Sequence, residues 1–168
     1  MASGDPVVQV LRAIPPGADA ATQDVRAGGS TPAESVPVWD FDASSTEYLD
    51  FLCVLQGYDG GGLTFTLPWS ASSATSGQVR WEVAIRRIAD DAEDVDSSHS
   101  YSTNGASDTA PSASGEVSYP TVTFTDGADM DSWADTELAI VRVMRDHDHA
   151  DDGMTGDAEL WDLWGVES

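Results

Sequence analysis

Between residues 145 and 153 the chain reads R-D-H-D-H-A-D-D-G. Imidazoles and carboxylates at such close spacing are metal-ligand types. On a strand, His147 and His149 would project from one face. Zinc would then need a third ligand from elsewhere, such as His99 or an aspartate. A calcium loop of the EF-hand kind needs acids at its first, third and fifth positions, glycine at the sixth and glutamate at the twelfth. Counted from Asp146, the fifth position holds Ala150, the sixth Asp151 and the twelfth Asp157, so that motif is excluded. Two readings are left. Asp146, His147, Asp148, His149, Asp151 and Asp152 could loosely bind a structural cation such as Mg, Ca, Na or K. Alternatively the stretch is a solvated loop between two strands, and this is the reading we favour.

Asp126, Asp129 and Asp131 in T-D-G-A-D-M-D-S pose the same choice. They could collect a cation. A D-G-x-D cluster more often makes turn hydrogen bonds and caps a helical turn, with Asp oxygens accepting backbone N–H. The cap is the preferred expectation.

Nothing nominates a nucleophile. There is no G-x-S-x-G elbow. Cys53, the single cysteine, lies in L-D-F-L-C-V-L and reads as a small buried hydrophobe that can form no intrachain disulfide. The run Asp59-Gly60-Gly61-Gly62 lacks the G-K-[ST] ending of a phosphate loop and reads as a hairpin or tight turn. With thirty acids, a glycosidase pair of carboxylates cannot be singled out. The expectation is a protein without catalysis and without a required cofactor.

The 168 residues suit one domain with a real core. Seven basic residues, all arginine, face thirty acids, for a net charge of -23. Such a coat repels itself in dilute buffer. At molar salt the screening length falls to about 3 Å and the repulsion fades. Abundant Asp with no Lys therefore reads as adaptation to high-salt surroundings. The charge argues against a nucleic-acid partner, which would need a basic patch. No apolar run approaches the ~20 residues that span a bilayer, and the first residues lack the pattern of a secretory signal.

The elements that must position these residues are short strands. Leu63, Phe65, Leu67 and Trp69 alternate with polar residues, as do Val79, Trp81, Val83 and Ile85. Residues 36–41, 48–55, 116–125, 137–145 and 157–167 are further candidates, with 48–55 central because it is apolar on both faces. Arg86-Arg87 suggests a bulge. Arginines 80, 86, 87 and 142 fall on strands and should pair with acids. Residues 90–115 form a long polar excursion expected as a loop. Residues 1–35, with one short strand at 7–11 and then Pro, Gly and small polar residues, read as an N-terminal arm or linker, either disordered padding or an extended arm that reaches a neighbouring subunit or the capsid. No long amphipathic helix is present. The class is all-β, a sandwich or barrel of about eight strands after the arm.

Three segments then suggest a family. V-P-V-W-D-F-D-A-S-S-T-E-Y-L-D-F, Y-D-G-G-G-L-T-F-T-L-P-W-S-A-S-S-A-T-S-G-Q-V-R-W-E-V-A-I and V-T-F-T-D-G-A-D-M-D-S, followed by T-G-D-A-E-L, resemble virion proteins of tailed bacterial and archaeal viruses. The resemblance spans roughly residues 36–166. It implies a jelly-roll β-sandwich of antiparallel strands over 36–168, usually a homotrimer, that decorates the capsid or builds a turret, spike or fibre. Its partners would be itself, the major capsid protein or other virion proteins. The place of work would be the capsid surface after assembly in the host cytoplasm, with the acid load pointing to a virus of a salt-loving archaeon. Neither nucleic acid nor membrane is an expected partner. The alternative is a carbohydrate-binding module for attachment to a host glycan. That reading requires a tryptophan platform open to solvent. Trp69 and Trp81 lie in the inward phase of their strands. Trp39, Trp133, Trp161 and Trp164 are unplaced by the pattern.

Overall fold

Strict alternation makes half of each strand apolar, so two sheets must close over the shared apolar rows. The computed structural model describes residues 4–168. Twelve strands follow in order: β1 (Pro6–Ile14), β2 (Thr22–Ala27), β3 (Ser35–Phe41), β4 (Glu47–Leu55), β5 (Leu63–Thr66), β6 (Trp69–Ala71), β7 (Gln78–Ile88), β8 (Ser102–Thr109), β9 (Thr121–Phe124), β10 (Leu138–Arg145), β11 (Ala158–Leu160) and β12 (Trp164–Glu167). One sheet has the order β8-β7-β10-β4-β1-β12-β5-β9 and the other β2-β3-β11-β6. The paired strands run antiparallel. The expected all-β, jelly-roll-type sandwich is the fold, with ten strands, β3–β12, where about eight were expected after the arm, and two more, β1 and β2, within the expected arm. The eight-stranded sheet curls until its two edges meet, where Asn104 Nδ2 on β8 donates to the Thr123 carbonyl on β9 at 2.9 Å.

The core is aromatic at its centre. Trp81 stands edge-on to Phe41 at 5.1 Å and to Trp69 at 5.9 Å. Each such side chain, fully withdrawn from water, stabilises by about 1.5–3 kcal/mol or more. Leu49, Phe51, Cys53 and Leu55 of β4 and Val79, Val83 and Ile85 of β7 complete the inward rows. Cys53 is buried as expected, and burial pushes its thiol up to about 12.

Several expectations are corrected. Residues 1–35 are not a free arm over their described part. β1 is inserted between β4 and β12, with Val7 and Val8 buried, and β2 is paired with β3. The polar excursion at 90–115 holds β8, which pairs with β7 from Gln78 to Ile85. Its sequence, STNGASDT, has no apolar row because it is an edge strand that packs through small and polar side chains. Arg86-Arg87 makes no bulge, since the β7–β10 register runs unbroken from Leu138 to Arg145. Arg87 falls in the inward row at the sandwich rim, and its guanidinium reaches Glu137 at 2.7 and 2.8 Å.

Two expected single strands are split. Leu67-Pro68 carries the chain from β5 into the other sheet at β6, and Trp161–Leu163 carries it from β11 back to β12. The two crossings run side by side, with Trp161 N–H donating to the Pro68 carbonyl at 2.9 Å. The glycine run is not a hairpin either, because β1 and β12 lie between β4 and β5. It is a tight turn. Gly62 has φ +87°, and a Cβ there would stand 2.5 Å from the Phe124 carbonyl oxygen.

Candidate functional site

The 145–153 stretch is built around Arg145. Ala139, Val141 and Val143 point into the core, and Arg145 is next in that phase. Its side chain is completely buried. Nε and Nη2 donate to Asp152 Oδ2 and Oδ1 at 3.0 and 2.8 Å. Nη1 donates to the Phe41 and Gly156 carbonyls, and Nη2 also to that of Met154. Asp152 Oδ2 in addition accepts the Arg80 backbone N–H at 3.0 Å. A buried guanidinium survives only when its donors are matched in this way. The clasp ties β3, β7 and β10 to the chain leading into β11.

The histidines ride on the turn outside this clasp. The turn is held by His149 N–H to the Asp146 carbonyl and Asp152 N–H to the His149 carbonyl, so the two rings do not share a strand face. His147 Nδ1 lies 2.9 Å from Thr46 Oγ1, and its Nε2 lies 3.2 Å from Asp148 Oδ1. His149 Nδ1 accepts the Asp151 N–H at 3.1 Å, and Asp151 accepts a hydrogen bond from Ser107 Oγ. Asp148 is largely exposed.

The three acids of the second cluster turn to different partners. Asp126 Oδ1 accepts the Tyr58 hydroxyl at 2.6 Å, and burial together with this bond pushes Tyr58 up to about 12. Asp129 turns back to accept the Thr125 N–H at 2.7 Å and the Asn104 amide. The Thr125 backbone bond leads in holding its carboxyl below the usual range. Asp131, in the left-handed region at φ 57°, accepts the Arg87 N–H at 2.8 Å and lies 2.9 Å from His99 Nε2. The expected helical turn is a 3-10 turn at Ala128–Met130. Gly127 takes its cap position, so no Asp side chain caps it. Among the described residues no three His, Cys, Asp or Glu side chains are grouped to hold a metal ion.

The tryptophans sort differently. Trp69, Trp81 and Trp133 are core. Trp161 is half-buried, its Nε1 donating to Ser70 Oγ at 2.9 Å. Trp164 is 40% exposed and lies 6.2 Å from the ring of Tyr119, itself 61% exposed, with the planes tilted by 53°. Trp164 starts a cross-strand row with Thr66 and Thr121. The next row outward in register is Val166, Thr64 and Thr123. Leu63 and Phe65 point inward, which forces Thr64 and Thr66 outward. The outer face of β12, β5 and β9 is thus a strip of threonine hydroxyls with two aromatic rings at one end. Flat rings of this kind accept the C–H face of a sugar, and hydroxyls exchange hydrogen bonds with its rim. Tyr119 was not singled out by the sequence. The outward phase Tyr119, Thr121, Thr123 was the available signal.

No protein-family model matches the chain, and no curated protein does. The resemblance to virion proteins therefore rests on the quoted motifs alone. Among solved structures, the chain is similar to TmCBM61 in complex with β-1,4-galactotriose. The TM-score is 0.37 and the identity 10%, over 88% of this chain and 87% of that one.

Proposed function

We propose that the chain is a non-catalytic, glycan-binding β-sandwich whose platform is the Tyr119–Trp164 pair. The observation that supports this is the exposure of both rings beside the Thr66 and Thr121 hydroxyls. Sequence patterning alone required a solvent-open tryptophan for this reading, and Trp164 supplies it. A net charge of -23 repels acidic sugars, so the ligand is a neutral polysaccharide. The test is titration calorimetry against a panel of neutral glucans, galactans, mannans and xylans. Trp164→Ala should weaken binding about tenfold, near 1.4 kcal/mol. No heat with any member of the panel, or unchanged affinity in the variant, would overturn the reading.

A second reading is the virion subunit that the sequence motifs suggest. A capsid-surface protein working in high salt would have the acid coat found here, and glycan binding at its tip would serve host attachment. Co-purification with purified particles tests it.

A further inference from the structure

A polar network lies on the outer face of the four-stranded sheet. Ala158 and Leu160 point into the core, so Glu159 between them points out, as Ser70 does between Trp69 and Ala71. Glu159 and Ser70 stand opposite each other in register, and both are buried. Ser70 Oγ donates to Glu159 Oε2 at 2.8 Å and accepts the Trp161 indole N–H at 2.9 Å. Arg26 Nε donates to the same Glu159 oxygen at 2.6 Å, and Nη2 donates to the Ala71 and Ser72 carbonyls. One buried carboxylate thus fixes both an indole ring and a guanidinium. Matched donors and acceptors away from water make such a network rigid.

The network supports a cleft of about 410 Å³, lined by Arg26, Glu34, Val36, Gly115, Glu116 and Trp161. That is a volume typical of small-ligand sites. One wall is the β2–β3 hairpin, closed by the Gly28 N–H to the Glu34 carbonyl at 2.7 Å. The other is the turn at 112–116, where Glu116 Oε2 accepts the Ala113 N–H and the Ser112 hydroxyl. Gly115 has φ +87°, and a Cβ there would stand 2.9 Å from Arg26 Nη1, so glycine lets this wall close on the guanidinium.

The cleft adjoins the Tyr119–Trp164 pair along two chain segments. Glu116 precedes Tyr119 by three residues, and Trp161 precedes Trp164 by three, so each step spans at most about 11 Å. We propose that the glycan site continues from the paired rings into this cleft, and that its ligand is an internal stretch of a linear neutral polysaccharide. One sugar ring lies on Trp164 and Tyr119 and a later ring of the same chain on Trp161. The Glu34 and Glu116 carboxylates accept from its hydroxyls, and Arg26 Nη1 donates to a sugar oxygen. Arg26 is already matched by Glu159, and the charges of Glu34 and Glu116 turn away an acidic sugar. Rings joined in one chain raise each other's effective concentration at the two subsites, so affinity grows with chain length. This rests on the glycan reading of the Tyr119–Trp164 pair and sets the length of ligand that the site holds.

The experiment is titration calorimetry on the full chain with linear oligosaccharides of glucan, galactan, mannan and xylan type, from disaccharide to hexasaccharide. For the type that binds, wild-type affinity should rise about tenfold or more along the series. Trp161→Ala should abolish that rise. Glu34→Ala, at an exposed hairpin position, should reduce it with an unchanged circular dichroism spectrum. Binding that is equally tight for disaccharide and hexasaccharide would overturn the extended site and leave the paired rings as the whole of it. So would a rise that both variants preserve. No heat with any oligosaccharide or polysaccharide would overturn the glycan reading itself, and this inference with it.

Discussion

Arg145 and Asp152 form a two-pronged ion pair with both side chains out of solvent, at 0% and 2% exposure. The stretch whose residue types could have bound a cation is thus pinned from beneath by an internal cation of the protein's own. The histidines and the remaining acids stand on the outside of that pin.

Breaking the pair from one side should be severe. Asp152→Ala leaves a buried guanidinium uncompensated and should cost about 3–5 kcal/mol. It also releases the Arg80 N–H. Asp148→Ala, four residues away and exposed, should cost less than about 0.5 kcal/mol. Denaturant unfolding of the two variants at molar salt measures the contrast. Equal stabilities would show that the clasp does not hold the fold.

Arg145 shows why this part was only half legible. The inward phase of β10 runs 139, 141, 143, 145, so periodicity alone puts Arg145 inside. Its partners are the carbonyls of Phe41, Met154 and Gly156, which no local pattern foretells. The same limit explains the strand count. β4, β7 and β10 are central and apolar and announce themselves. β8 is an edge with one neighbouring strand and needs no apolar row. The splits at Leu67-Pro68 and Trp161–Leu163 leave the apolar alternation nearly intact while the chain changes sheets. Trp164 was open to either reading, because its outward phase becomes certain only when Gly165 is placed against Val8 and Phe65.

Salt should govern stability over a wide range. With -23 on 168 residues, self-repulsion acts at long range in dilute buffer. Lowering KCl from about 3 M to about 0.1 M should lower the Tm progressively, as the screening length grows from under about 3 Å to about 10 Å. Calorimetry checks this. A Tm indifferent to salt would show that the buried ion pairs outweigh the coat.

Asp40 makes a pH prediction of definite sign. Burial raises its carboxyl to about 6, with Asp157, Glu159, Asp24 and Glu47 adding to the effect. A folded-state value above the unfolded one favours the protonated fold. Its contribution is fully present below the unfolded value of 3.8 and is lost as pH rises through about 6. Wild type should therefore gain stability from this group between pH 7 and pH 5. Asp40→Asn should be the more stable protein at pH 7 and should lack that gain. If the two proteins show the same pH profile, Asp40 is not the group responsible.

Tryptophan emission gives an independent view of the platform. Trp69, Trp81 and Trp133 are sealed in the core, so a neutral quencher such as acrylamide cannot reach them without unfolding. Trp164, at 40% exposure, should supply most of the accessible emission, with a lesser part from half-buried Trp39 and Trp161. Trp164→Phe should remove most of the quenchable signal while leaving the fold intact, because the ring stands outside the sandwich. A bound neutral polysaccharide should protect the same fraction in the wild type and none in Tyr119→Ala. Protection that survives loss of Tyr119 would place the sugar elsewhere on the surface, and the paired rings would then be no more than a covered strand edge.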